Sequence, residues 1–205
     1  MPTLVTQTLI GSWSRVFTVD ENYVDDAFDE FLRKLRREPE EQNEAMLEGI
    51  AFENAVYRIA KGGTFDTTLS KWESGIKAVA TRIKGAQTQV SINRRCAING
   101  HELVVHGKLD ALMAGVIHDV KKVQKSFGSV ELAGKYFDSV QHPTYFFLEP
   151  NAHLFEYDVS DGTDLYTEIY SRRETRNFEC IAAEFLNWLE INGYMQLYLE
   201  RWQAL

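Results

Sequence analysis

The sequence predicts a mixed α/β fold, and three observations carry that prediction. Apolar residues recur at helical spacing as far as Ile83. From Gln87 the period drops to two, in Val- and Ile-rich runs separated by turn dipeptides. After Phe178 the helical period returns. Helices, a strand meander, then a helix and further strands describe one α/β domain over residues 1–205 with a central sheet flanked by helices.

Leu4–Thr18 alternates loosely and is expected to be an extended entry. Asp20 is placed to cap a helix that runs to about Arg37, with Val24, Phe28, Phe31, Leu32 and Leu35 on one stripe. The basic cluster of Arg33–Arg37 suits that helix's C-terminal dipole, and Pro39 closes the element. A second helical pattern, from about Glu41 to Ala60, carries Met46, Leu47, Ile50 and Ile59 and stops at Gly62-Gly63. A third, from about Thr67 to Ile83, sets Leu69, Trp72, Ile76, Val79, Ala80 and Ile83 at helical spacing.

Asn99-Gly100 marks a hairpin between Thr88–Ala97 and Glu102–Leu112, because both residues tolerate the positive φ of a tight turn. Ala114-Gly115 then joins Glu102–Leu112 to Val116–Val123, which gives a three-stranded antiparallel meander. A helical stretch is expected over Val130–Ser139, followed by a segment at Gln141–Leu148. Asp161-Gly162 predicts a second hairpin between His153–Ser160 and Asp164–Ser171. Apolar helical repeats run from Phe178 to Trp202.

Composition narrows the function classes. Apolar residues make up 44% of the 205 and charged residues 25%, ordinary values that call for neither disorder nor a membrane class. No apolar run approaches the roughly 20 residues of a membrane helix, and Met1–Ile10 lacks the pattern of a signal peptide, so a cytoplasmic protein is expected. Cys96 and Cys180 match no metal or redox spacing and are expected to be buried thiols. A formal charge of −8 argues against a protein that coats nucleic acid nonspecifically. It leaves room for an acidic metal site with a local basic strip.

The chemistry concentrates in the meander. A two-residue turn at Ala114-Gly115 pairs Met113 with Val116, which sets Asp110 opposite Asp119 and Lys108 opposite Lys121. Facing carboxylates destabilise a sheet unless something offsets them. A hard divalent cation such as Mg²⁺ or Mn²⁺, held by carboxylate oxygens, would do so. On the hairpin alone, a solvated sheet face with diagonal salt bridges is the readier account of two Asp and two Lys on facing strands.

Gly107-Lys108-Leu109-Asp110 followed by Ile117-His118-Asp119-Val120-Lys121 resembles the second and third motifs of PD-(D/E)XK nucleases. Gly49-Ile50-Ala51-Phe52-Glu53 and Gln141-His142-Pro143-Thr144-Tyr145 match the helical motifs of the RecB-like and phage exonuclease-like branches, in the right order over about half the chain. The resemblance implies a restriction-endonuclease-like core with a metal at one end of its sheet. It implies Asp110 and Asp119 as metal ligands, the Val120 carbonyl as a further one, and Glu53 approaching from its helix. Lys121 would be the catalytic lysine, and Gln141 and Tyr145, one helical turn apart, would position the substrate strand or that lysine.

Some positions depart from the pattern. Lys122 stands where many relatives have Thr or Ser, and Pro143 must sit near a helix start. Lys122, with Lys125, Arg94 and Arg95, is a candidate phosphate-contacting strip. His118 is expected to face away from Asp119, and His106 and His142 have no ligand partner at recognisable spacing.

The function so implied is a Mg²⁺-dependent DNA nuclease, an exonuclease of phage or recombination type, with DNA as partner. A homo-oligomer and a recombination protein are candidate associations. One rival is the same fold with a weakened site, binding nucleic acid or protein without cleavage. The other is an unrelated assembly protein that uses Phe185, Trp188, Tyr194, Tyr198 and Trp202.

Overall fold

The computed structural model describes residues 1–129 and 132–204. The entry is not extended throughout. After a four-residue strand β1 (Thr3–Thr6), the Thr6 hydroxyl accepts the Leu9 N–H and starts helix α1 (Gln7–Arg15). Leu9, Ile10 and Trp13 are buried at helical spacing, so this correction rests on a stripe interrupted by polar Gly11-Ser12.

Asp20 caps as expected, through a short 3₁₀ turn that leads into α2 (Val24–Leu35). Asn43 accepts the Met46 N–H and opens α3 (Glu44–Ala60). The third predicted helix is a 3₁₀ turn (Thr67–Trp72) followed by α4 (Glu73–Arg82).

The meander forms as β2 (Gln87–Ile98), β3 (His101–Met113) and β4 (Val116–Lys122). Of the helix expected over 130–139, Val130 and Glu131 lie outside the described residues, and 133–138 is a chain of turns around Gly134 at φ +75°. Then come α5 (Gln141–Leu148), β5 (Leu154–Ser160) and β6 (Leu165–Ser171). The C-terminal repeat is two helices, α6 (Phe178–Ile191) and α7 (Met195–Arg201), separated at Gly193, whose φ of +75° ends the first.

Strand β3 organises the sheet. Antiparallel β2 pairs along one whole edge of it. The other edge is shared between parallel β1 at residues 103–106 and antiparallel β4 at 111–113. Beyond, β4 runs parallel to β5, which pairs antiparallel with β6.

Residues 107–110 therefore lie in a fork between two partners, where side chains take over from the ladder. Tyr145 donates its hydroxyl to the Lys108 carbonyl at 3.1 Å, and Asp110 Oδ2 accepts the Val120 N–H at 2.9 Å. Helix α5 enters the fork because Gly107 has no side chain. A Cβ there would stand 2.5 Å from Leu148 Cδ1 and 2.7 Å from Tyr145 Cε1.

Two apolar clusters cover the two faces. The larger joins Leu9, Phe31, Leu109, Ile117, Phe155, Phe185 and Tyr198 under α1, α2, α5, α6 and α7; the smaller packs Phe52, Val56, Trp72 and Ile76 of the α3–α4 region on Ala111 and Val120. Phe185, Tyr198 and Trp202 are thus core, which removes them from an assembly surface. Neither cysteine is buried as expected: Cys96 is half-buried on β2 and Cys180 is exposed on α6. Among the described residues no helix is long and apolar enough to cross a membrane.

Gly107→Ala should lower the stability by about 1–3 kcal/mol, the usual cost of overpacking a filled contact. Urea unfolding reads this directly. An unchanged midpoint would mean that α5 does not depend on close approach at residue 107.

Candidate metal and catalytic site

The turn at Ala114-Gly115 sets the predicted register, with Met113, Leu112 and Ala111 opposite Val116, Ile117 and His118. Both turn residues have positive φ, +51° and +79°. The ladder stops one step before Asp110 and Asp119. There the Asp110 carboxylate reaches across the fork to the Val120 N–H. A strand residue directs its N–H and C=O to the same edge, so the Val120 carbonyl also faces the fork.

Across β3, Gln89 of β2 occupies the left-handed region at φ +58° and directs its amide Nε2 to Asp110 Oδ1 at 3.4 Å. A non-glycine residue in that conformation within a strand is strained, as happens where a side chain must be aimed.

Asp119 is 2% exposed. Its Oδ2 lies 2.8 Å from Lys121 Nζ, and its Oδ1 accepts a short hydrogen bond from Gln141 Nε2. Gln141 is the first residue of α5, with Pro143 two positions on, inside the first turn where a missing N–H costs nothing. Tyr145, one turn later, is buried with its hydroxyl given to Lys108, so it braces α5 against β3.

Glu53 of α3 is half-buried and lies in the field of Lys121, Asp119 and Lys108. The structure therefore brings together Asp110, Asp119, Glu53, Lys121 and Gln141.

Electrostatics shows what this group lacks. Burial, then the charges of Asp119 and Glu53, push Asp110 up to about 7. Burial also raises Asp119, against the pull of Lys121 and Gln141, and raises Glu53 against Lys121. For Lys121, burial works against the charge, but the adjoining Asp119 outweighs it and holds the ammonium protonated. Three carboxylates thus share the Lys121 ammonium, with Lys108 also acting on Glu53, and a hard cation with oxygen ligands would offset the remaining excess. The donor set fits Mg²⁺ or Mn²⁺.

Several tyrosines that sequence reasoning missed surround the group. Tyr57 follows Glu53 by four residues, on the same helical face, and its buried hydroxyl is held protonated by burial and by Asp110. That spacing was the available signal. Tyr136 stacks on Tyr157 with centroids 4.2 Å apart, in the fields of Lys121 and Asp119. It sits in the turn segment, where no periodicity marks it.

Lys122 is not with the cluster. It points to the other face of β4, donates to the Val123 carbonyl at 2.6 Å and lies 5.4 Å from the Trp72 ring centroid. That face also carries His118, which does turn away from Asp119: its Nδ1 is 2.9 Å from Asp158 Oδ2 and 3.4 Å from Glu156 Oε2. The ligand atoms of His118, Glu156 and Asp158 all lie within 4.8 Å of one another, so this buried group could hold a metal. Arg82 of α4 already pairs with both of its carboxylates. His142 is buried in the large cluster, stacked on Tyr170 at 4.2 Å, and its imidazole is pushed down to about 4 by burial.

No protein-family model matches the sequence, and neither does any curated protein. Solved structures do resemble the fold. The complex of LHK-Exo with dAMP gives a TM-score of 0.54 over 96% of this chain and 91% of that one, at 14% identity. The alkaline exonuclease LHK-Exo from Laribacter hongkongensis gives 0.51 over 94% and 91%, at 15% identity. A crystal structure of SSO0001 gives 0.53 over 94% and 77%, at 13% identity. The mixed sheet flanked by helices is thus shared with LHK-Exo and SSO0001, and at these identities the likeness is one of fold alone.

The metal-free protein should lose stability as pH rises from 3.8 through about 7, because the folded state holds a proton on Asp110 that the unfolded state has released. Mg²⁺ or Mn²⁺ should therefore raise the Tm more at pH 8 than at pH 5. Asp110→Asn, which keeps an acceptor for Val120, should reduce both the pH slope in that window and the metal effect, Asp119 and Glu53 keeping the rest. Equal metal shifts in both proteins would show that the ion binds elsewhere, the His118 group being the alternative.

Proposed function

We propose that this chain is a divalent-metal-dependent deoxyribonuclease, and more narrowly an exonuclease of phage or recombination type. The convergence of Asp110, Asp119 and Glu53 around Lys121 in the β3–β4 fork carries this reading. The likeness of the fold to an alkaline exonuclease supports it.

Asp110, Asp119, Glu53 and the Val120 carbonyl would hold the ion. When bound, the ion supplies Lewis-acid charge for the phosphate and lowers the pKa of a coordinated water. The chain's own residues do the rest. Lys121, held as an ammonium, stabilises negative charge that develops on phosphate oxygen and is a poor base in that state. Gln141 fixes Asp119 from one side and Gln89 and the Val120 N–H fix Asp110 from the other, so the ligands are aimed before substrate arrives. Tyr136, pushed up to about 12 by burial first and by Asp119 and Glu168, keeps its proton and adds a hydroxyl donor near Lys121.

The test uses linear and circular DNA, single- and double-stranded, with Mg²⁺, Mn²⁺ or EDTA. Wild type should degrade linear DNA only with metal. Lys121→Ala and Asp119→Ala should each lower kcat by about 100-fold or more, the scale seen when a charge-stabilising group is removed. DNA binding by a folded wild type that never cuts would replace this reading with that of a binding module.

A further inference from the structure

We propose that a cleft at the far end of α5, formed by Arg94, Arg172 and Arg176, binds a backbone phosphate of the DNA strand on its way to the fork; this rests on the nuclease reading above. A protein of net charge −8 must hold a polyanion through local groups of cations. Among the described residues, most lysines and arginines are scattered or paired with carboxylates. Arg94 and Arg172 form no salt bridge among the described residues; Arg172 lies in the field of Glu149, which favours its charge, and in that of Arg94, which opposes it. With Arg176 they line a cavity of about 400 Å³ beside Phe147 and the start of α6. Three guanidiniums around one cavity suit an anion.

The guanidiniums are also fixed in place. Arg172 Nε donates to the Ala152 carbonyl at 2.7 Å, and its Nη2 to those of Phe146 and Glu149 at 2.7 and 2.6 Å. Arg94 Nη1 donates to the Phe147 carbonyl at 2.6 Å, with its guanidinium 4.4 Å from the Phe147 ring centroid. These bonds engage three of the five donors of Arg172 and one of the five of Arg94, so each fork is oriented while donors remain for an anion. Arg176 is held by Glu184 at 2.7 Å. Helix α6 begins at Phe178 beside the same cavity, and the Glu179 of its first turn is also in the lining, so three arginines stand there against one acid.

The same helix links cleft and fork. Gln141 at the first position of α5 touches Asp119, while Pro143, Phe146 and Phe147 further along line the cleft. The six steps of helix from Gln141 to Phe147 rise about 9 Å, so a strand held in the cleft reaches the fork after roughly two to four nucleotides. A phosphate is preferred over an acidic peptide because the planar forks suit phosphate oxygens and because the strand in the fork supplies one at that distance.

The experiment walks a single neutral methylphosphonate along a twelve-nucleotide strand. The wild-type holoprotein with Mg²⁺ is compared with the double variant Arg94→Gln, Arg176→Gln. Gln at 94 keeps an N–H donor for Phe147, and Arg172 is left in place to hold α5.

Wild type should show a KM penalty at one position two to four nucleotides from the cut. In the variant KM should rise about tenfold at unchanged kcat, the penalty at that position should vanish, and the salt slope should fall by about 1 per charge removed. A trinucleotide should be cut equally well by both proteins. An unchanged penalty in the variant, or an equal defect on the trinucleotide, overturns the proposal. If wild type cuts no DNA, the nuclease reading fails, and the same series read by fluorescence anisotropy still decides whether the cleft holds that phosphate.

Discussion

The open edge of β3 between β1 and β4 is the constraint on which the site depends. A strand in the middle of a sheet would spend its N–H and C=O groups on neighbouring backbone. Here β1 stops at His106 and β4 begins pairing at Ala111, so the backbone between must find other partners or leave buried polar groups unsatisfied. Asp110 and Tyr145 supply them. The carboxylate that serves as the proposed ligand is thereby also a structural substitute for a ladder bond. This couples β4's position to the ionisation of Asp110, and it explains how one acid can be nearly buried beside two others.

The cost of that arrangement is electrostatic. Burial raises Asp110, Asp119 and Glu53 together, and Lys121, with Lys108 acting on Glu53, does not balance them. Strain adds to it at Gln89, held at positive φ while its amide faces Asp110. A sequence selected for stability alone would place apolar or neutral residues at these positions. The surrounding apolar clusters on both faces of the sheet make the expense tolerable, and they leave the fork as the place where local rules are broken.

Much of this was legible because it is local. Asn99-Gly100 and Ala114-Gly115 each fix a two-residue turn, and a turn of known length fixes every pair that follows, which is how Asp110 and Asp119 could be placed near one another from sequence. Glu53 and Gln141 came only through resemblance to a family, since a lone Glu or Gln on a helix carries no signal of its own. The fork itself was not legible. It arises from β1 pairing about a hundred residues along the chain, in a segment that alternation made look extended while Leu9, Ile10 and Trp13 were already at helical spacing. Lys122 was misplaced in expectation by its neighbourhood in sequence: alternation along β4 sends it to the Trp72 face.

The reverse face of β4 shows why Asp119 can hold its place although, among the described residues, it is bonded by only two side chains, Lys121 and Gln141. Its neighbour His118 is tied to Asp158 and Glu156, and Arg82 of α4 spans both carboxylates while Thr167 of β6 donates to Asp158. This buried network joins α4, β4, β5 and β6 behind the carboxylate cluster. It turns one strand residue rigidly away so that the next points into the fork. Buried ion pairs are a poor source of net stability, because desolvation consumes most of the attraction. Their satisfied geometry does specify position, since a displaced strand would leave charges unpaired in the interior. The two acidic groups on opposite faces of β4 therefore divide the work. The one paired with Arg82 and bonded by His118 fixes the strand, and the one left with excess negative charge is the proposed cation site.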